Sequence, residues 1–129
     1  MVDTISDMLT RIRNAQAVSK KTVIVPYSKL KFSLAKLFEK HGLIIKVSVQ
    51  GRKINKIMEI ELKYEKERSV MSNLKRISKP GQRIYIKKNE LRPIRQGYGL
   101  IVISTSEGLM TNQEAHKKKL GGEVICEIW

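Results

Sequence analysis

From residue 58 to 64 the chain alternates without a break: Met58, Ile60, Leu62 and Tyr64 on one parity, Glu59, Glu61 and Lys63 on the other. Successive side chains of a strand point to opposite faces, so a period of two commits this stretch to a strand with one buried and one wet face. Residues 43–49 are rich in β-branched and aliphatic side chains, and Gln50-Gly51-Arg52-Lys53 separates them from 56–64, so the two runs predict a half-buried hairpin.

Upstream, the period changes. Ile5, Met8, Leu9 and Ile12 recur at the spacing of one helical face, with Thr4 expected as the cap of a helix over 4–16. Arg11 and Asn14 fall away from that stripe and Arg13 lies near its margin, so they can meet solvent or phosphate. Residues 22–25 are β-branched throughout and stop at Pro26, which cannot donate to a ladder, as expected of a short strand. A second helix follows, with Ser28 as cap, Leu30, Leu34, Leu37 and Phe38 as its apolar face and Gly42 after His41 as its stop. The run 64–69 is charged with no apolar periodicity and is expected to hold the linker between the two halves.

Beyond the linker, 70–78 and 83–87 flank Lys79-Pro80-Gly81-Gln82, where Pro then Gly suit a type II turn, so a second hairpin is predicted. A loop over 88–99 contains Pro93, Gly97 and Gly99. Leu100-Ile101-Val102-Ile103 then reads as a buried strand, running into Ser104-Thr105-Ser106-Glu107-Gly108 ahead of a helix start. Thr111-Asn112-Gln113-Glu114 has the form of a capping box, which predicts a helix to about Leu120, ended by Gly121-Gly122 and followed by a last strand over 123–129. The fold class is therefore α+β, in two small domains. An N-terminal α/β domain over 1–65 runs helix, strand, helix, strand, strand, and a mainly β domain with one short helix covers 70–129.

Charge narrows the function. The 129 residues carry 26 Lys and Arg against 12 Asp and Glu, a net +14, while 41% apolar content is enough for a real core. The longest aliphatic run, four residues, falls far short of the roughly 20 that a membrane helix needs, and no secretory signal or transit peptide is expected in the first residues. Cys126, the single cysteine, lies between Ile125 and Glu127 near Ile128 and reads as an inert strand thiol. His41 and His116 sit at the ends of separate predicted helices without partners at metal-ligand spacing, and Gly97-Tyr98-Gly99 lacks the third glycine of a dinucleotide fingerprint. No phosphate loop or nucleophile elbow is present. No cofactor, no metal and no catalytic residue is expected.

The strongest cluster lies between Lys75 and Arg95, where eight Lys or Arg stand against the single acid Glu90. In a strand Arg83, Tyr85 and Lys87 share one face while Ile84 and Ile86 share the core face. Such a run either attracts phosphate or is simply a solvated sheet face. Tyr85 either stacks on a base or covers the hairpin. The hydroxyls of Ser104, Thr105 and Ser106 either read a base edge or ribose, or satisfy their own backbone in a turn. Lys117-Lys118-Lys119 reads as a solvated helix end.

Four separated motifs carry a resemblance. Asp7-Met8-Leu9-Thr10-Arg11-Ile12-Arg13-Asn14-Ala15, then Arg76-Ile77-Ser78-Lys79-Pro80-Gly81-Gln82-Arg83-Ile84-Tyr85, then Ser104-Thr105-Ser106-Glu107-Gly108-Leu109-Met110-Thr111, and Gly121-Gly122-Glu123-Val124-Ile125-Cys126 resemble, in that order, the family of ribosomal protein number eight of the bacterial or organellar small subunit. The resemblance runs nearly end to end. It implies a non-enzymatic primary binder of small-subunit ribosomal RNA that stabilises the central domain during assembly, in a bacterial cytoplasm or a plastid stroma. Implied partners are that RNA and neighbouring small-subunit proteins, five and twelve among them, and members of the family can also repress translation by binding a similar stem in messenger RNA. Residue by residue, RNA contact is implied for Ser104, Thr105, Ser106 and Tyr85, with Lys79, Arg83 and Lys87 anchoring phosphates. Arg11, Arg13, Lys29 and Lys31 complete the candidate RNA-binding set. Two positions depart from the family pattern: Glu107, where Lys or a neutral residue is common, and Tyr98, where an aliphatic residue is usual.

Overall fold

The computed structural model describes residues 3–66, 68–91 and 99–129. The chain divides into two units, 4–72 and 73–129, the latter with residues 1–3. The division falls at Ser72 and Asn73, several residues past the expected linker.

In the unit 4–72, helix α1 (Thr4–Ala17) is followed by strand β1 (Thr22–Pro26), helix α2 (Lys29–Lys40) and strands β2 (Ile44–Gln50) and β3 (Ile57–Leu62). This is the predicted order. The sheet runs β1-β3-β2, antiparallel throughout, and the period-two segment is its central strand. Met58, Ile60 and Leu62 are buried while Glu59 and Glu61 are half-exposed on the other face. The helices cover the apolar face: α1 packs on β1 and α2 on β2, with Ile5, Met8, Leu9, Ile12 and Ala15 meeting the core from α1 and Leu34, Ala35, Leu37 and Phe38 from α2.

The ends of α2 follow the sequence closely. Ser28 caps it by accepting from the Lys31 N–H at 3.2 Å. At the other end Gly42 has φ +72°, and the N–H groups of Gly42 and Leu43 close on the carbonyls of Glu39 and Phe38. That is the paired closure a left-handed glycine permits. Other expectations need correction. Thr4 is the first helical residue of α1 rather than its cap. Leu30 is 45% exposed, whereas Lys31 is only 4% exposed, so the apolar face of α2 begins at Leu34 and the lysine takes the buried place beside the first turn. The expected linker contains a two-stranded ribbon, β4 (Tyr64–Glu65) against β5 (Arg68–Ser69), inside the first unit.

The second unit holds a five-stranded sheet: β6 (Leu74–Arg76), β7 (Tyr85–Ile86), β8 (Leu100–Thr105), β9 (Gly108–Thr111) and, after helix α3 (Asn112–Lys118), β10 (Gly122–Ile128). The central strand is β10, with β8 along one edge and both β6 and β7 along the other. The predicted hairpin over 70–87 is therefore corrected: β6 and β7 do not pair with each other. They lie end to end on one strand path, and 79–83 loops out between them. The Ser78 N–H donates to the Val124 carbonyl, and the Val124 N–H donates to the Ile84 carbonyl, so the ladder resumes where it left off. Lys79 and Gln82 exchange both backbone hydrogen bonds across the loop, and Gly81 lacks the positive φ of a type II turn. Because the path bends there, Ile84 is 38% exposed and only Ile86 of the expected pair packs on the core.

One core cluster of this unit comprises Leu91, Ile101, Ile103, Met110, Ala115 and Val124, and Leu74, Val102, Ile125, Cys126 and Ile128 are buried as well. The predicted capping box of α3 is present, with Thr111 Oγ1 accepting from the Glu114 N–H and Glu114 Oε1 accepting from the Thr111 N–H. Its stop differs from expectation: Lys119 itself takes the left-handed conformation at φ 57°, and the Leu120 N–H closes on the Ala115 carbonyl. Gly121 and Gly122 have another task. A Cβ on Gly121 would come within 2.4 Å of the Ile86 carbonyl oxygen, and one on Gly122 within 2.1 Å of that of Ser104. These two glycines let β10 begin between the backbones of β7 and β8. Residues Arg92, Pro93, Arg95, Gly97 and Tyr98 of the expected loop lie outside the described residues.

Candidate nucleic-acid interface

Strand pairing sets the site. Glu123 of β10 pairs with Tyr85 of β7 on one side and with Ser104 of β8 on the other, and Ser104 pairs in turn with Leu109 of β9. Directly paired residues of antiparallel strands share a face. Tyr85, Glu123, Ser104 and Leu109 therefore form one row across the sheet, on the face opposite Ile103, Met110 and Val124. Tyr85 and Ser104 stand two strand spacings apart, about 10 Å. Tyr85 is 69% exposed, so it is not folded down over its own strand.

The hydroxyl run is not a loop before a helix. It ends β8 and enters a tight turn, Ser106-Glu107, into β9, a strand the sequence reading did not anticipate. Gly108 at φ +107° supplies the geometry of that return. The three hydroxyls have different states. Thr105 Oγ1 donates to the Gly108 carbonyl at 2.9 Å and accepts from the Glu107 N–H at 3.1 Å, so it fastens the turn. Ser104 and Ser106 make no side-chain hydrogen bond among the described residues. The turn reading of this run holds for Thr105, while Ser104 and Ser106 are left without an internal partner among the described residues.

Glu123 is the residue sequence reasoning missed. Its Oε2 accepts from the hydroxyl of Ser78, which is fully buried, and from Arg83 Nη1 at 2.9 Å. Ser78 Oγ also accepts from the Ile84 N–H at 3.1 Å, so one hydroxyl fastens both the neck of the loop and the carboxylate. Burial pushes the Glu123 carboxyl up, but the hydrogen bonds from Ser78 and Arg83 and the charges of Arg83 and Arg76 outweigh it and hold the group below the usual glutamate value. The same contact raises the Arg83 guanidinium. Glu123 falls within the fourth motif, but its neighbours in sequence do not say which side chains it meets; only the pairing register reveals where it sits.

Around this row the cations separate into two kinds. Lys79 and Lys87 are exposed and make no ion pair among the described residues, while Arg83 is exposed but tied to Glu123. Arg76, part of the same basic run, is turned inward: it pairs with Asp3 at 3.1 Å and donates to the Ile125 carbonyl at 2.7 Å. Glu107 pairs with Lys118 at 3.6 Å on the surface. Cys126 is fully buried, and burial pushes its thiol up to about 12, the unreactive state expected of it.

The remaining candidates belong to the unit 4–72. Arg11 pairs with Asp7 at 3.0 Å, donates to the Ile24 carbonyl and borders a groove of about 440 Å³ between α1 and β1, with Asn14, Val18 and Lys20. Arg13 donates to Thr10 Oγ1 and borders a smaller groove of about 260 Å³ with Gln16, Ser69 and Ser72. Lys29 is exposed. Lys31 is buried, and its ammonium is lowered from the ordinary lysine value, chiefly by that burial, with Asp7 opposing and Arg11 adding to the shift. Lys31 is therefore the least exposed of the candidate cations.

Among the described residues no group of His, Cys, Asp and Glu could hold a metal ion, and no helix is long and apolar enough to cross a membrane. Residues 3–129 match the family model described as ribosomal protein S8. The chain is 45% identical over 129 residues to the small ribosomal subunit protein uS8 of Ruthia magnifica subsp. Calyptogena magnifica, covering 100% of this chain and 98% of that one. It is 48% identical over 128 residues to the protein of that name from Buchnera aphidicola subsp. Schizaphis graminum, and 48% over 130 residues to that of Natranaerobius thermophilus, each with at least 98% of both chains covered. The full-length match agrees with the four motifs and their order, and the chain belongs to the ribosomal protein S8 family, structural components of the small ribosomal subunit rather than enzymes.

Proposed function

We propose that this chain is a primary binder of small-subunit ribosomal RNA, fixing a stem of its central domain during assembly through the end of the second sheet where Tyr85, Glu123 and Ser104 pair. The row Tyr85–Glu123–Ser104, with Ser106 at the adjoining turn, carries this reading. It offers an exposed ring for stacking and two uncommitted hydroxyls, bordered by Lys79 and Lys87. That set suits A-form RNA, whose deep major groove is closed to side chains and whose shallow minor groove displays 2′-hydroxyls and base edges. Small hydroxyl groups can approach such a surface, and the lysines at the border supply the sequence-independent attraction to phosphate. Arg11, Arg13 and Lys29 of the first unit are proposed as further phosphate contacts, and other small-subunit proteins as neighbours.

The test is binding of the purified chain, without other ribosomal proteins, to a stem from the central domain of small-subunit RNA and to an unrelated duplex of equal length at moderate salt. Preference for the stem by about tenfold or more is expected. Equal affinity for both would end the proposal.

A further inference from the structure

Glu123 stands in the middle of the proposed reading face, in a chain with more than twice as many cations as acids. Its two oxygens are unequal. Oε2 accepts from Ser78 and Arg83, whereas Oε1 has no partner among the described residues, and no buried polar side-chain atom there is left unsatisfied. Oε1 is thus an open acceptor held in register between Tyr85 and Ser104. The side chain is 17% exposed, enough to be reached and too little to swing away.

We infer that Glu123 is the specificity-determining residue of this face, accepting a hydrogen bond at Oε1 from an RNA hydroxyl or amine donor and excluding phosphate from the row. The inference rests on the RNA-binding reading and goes further, because it assigns a role that charge attraction would argue against. A carboxylate accepts hydrogen bonds and cannot donate them, so it welcomes a 2′-hydroxyl or an exocyclic base amine and rejects a phosphate oxygen. Rejecting the wrong group is half of discrimination. By holding Arg83, the same carboxylate also withholds one cation from non-specific phosphate contact. The geometry assigns the border to phosphate and the row to sugar or base.

Glu123→Gln keeps the shape and an acceptor but removes the charge. With the wild-type chain preferring the stem, the variant should bind the stem roughly tenfold more weakly, as expected for loss of a charge-assisted hydrogen bond. It should also bind the unrelated duplex more tightly, with a steeper dependence on salt. Two sets of modified stems separate the donors and leave the protein untouched: single 2′-deoxy riboses, and inosine in place of single guanosines. One such change should weaken wild-type binding by a similar factor and cost Glu123→Gln clearly less, because a neutral amide oxygen accepts the same hydrogen bond more weakly. A penalty from deoxyribose identifies a ribose hydroxyl; one from inosine identifies a base amine. Circular dichroism of the variant shows whether it folds, and the modified stems with wild-type protein decide the matter if it does not. The inference is overturned if no single replacement weakens wild-type binding, or if a folded variant keeps the full preference for the stem. A wild-type chain without that preference would instead bring down the RNA-binding reading, and this inference with it.

Discussion

The two units differ in the state of their polar side chains more than in the amount of charge they carry. In 73–129 Ser104, Ser106, Lys79 and Lys87 of the proposed interface remain uncommitted among the described residues, held up by a second set, Ser78, Thr105 and Glu123, that is fastened. In 4–72 three of the four candidate cations are engaged or covered: Arg11 on Asp7 and the Ile24 carbonyl, Arg13 on Thr10, and Lys31 largely buried, leaving Lys29 exposed. A net charge of +14 measures attraction at a distance. It does not say which groups can make contact, and among the candidate residues the uncommitted ones lie mainly in 73–129.

Perturbing the frame of the second unit should do most to break that contrast. Gly122→Ala drives a methyl into the Ser104 backbone, with contacts at 2.1 Å to its oxygen and 2.9 Å to its carbon, and neither atom can move without shifting β8. A loss of about 2–4 kcal/mol is expected in denaturant unfolding, the range of severe overpacking. Next in size, replacing Ser104 and Ser106 together by Ala should weaken binding to the stem by about 1–3 kcal/mol with little change in stability, since neither hydroxyl has an internal partner to lose. Thr105→Ala should show the opposite division, lower stability by about 0.5–1.5 kcal/mol, because its hydroxyl closes the turn. If the single change at Thr105 harmed binding alone, the division of labour among the three hydroxyls would be wrong.

The contrast can also be sharpened by pH. Glu123 has a folded value below 4.5, so the unfolded chain binds its proton more readily and the stability it contributes is complete above 4.5 and lost as the pH falls through the folded value. Denaturant midpoints of the wild type should therefore approach those of Glu123→Gln in acid. Smallest of all, Arg11→Ala should change stability by less than about 1 kcal/mol, because both members of the Arg11–Asp7 pair are half-exposed and screened. Its binding assay is the informative one: a reduced salt slope would show that Arg11 leaves Asp7 for phosphate.

Much of the first unit was legible because its signals are local. The alternation at 58–64, Ser28 before α2 and Gly42 after it each fix one element without reference to distant residues. Lys31 escaped because a lysine inside an apolar helical face contradicts the usual partition, and only the packing of α1 beside α2 buries it. The second unit was harder for a physical reason. Residues 70–78 and 83–87 look like two arms of a hairpin when taken alone, and their true partner, β10, pairs with them across 36 to 54 residues of sequence. The glycines at 121 and 122 gave the same misdirection, since a helix stop and a close approach of backbones ask for the same residue. Charge, hydroxyl content and the tyrosine located the candidate face; the register that places Glu123 within it is a long-range property.

The five-residue excursion at 79–83 leaves and rejoins the sheet at the same residue of β10, with Ser78 bonded to one backbone group of Val124 and Ile84 to the other. Its length is thereby uncoupled from the register of every strand. Lengthening a flexible loop costs only about 0.6 kcal/mol per doubling, so this segment can grow or shrink between related chains, or at an engineer's bench, while the row beside it stays in place. Such a port would let the proposed reach toward phosphate be adjusted independently of the row.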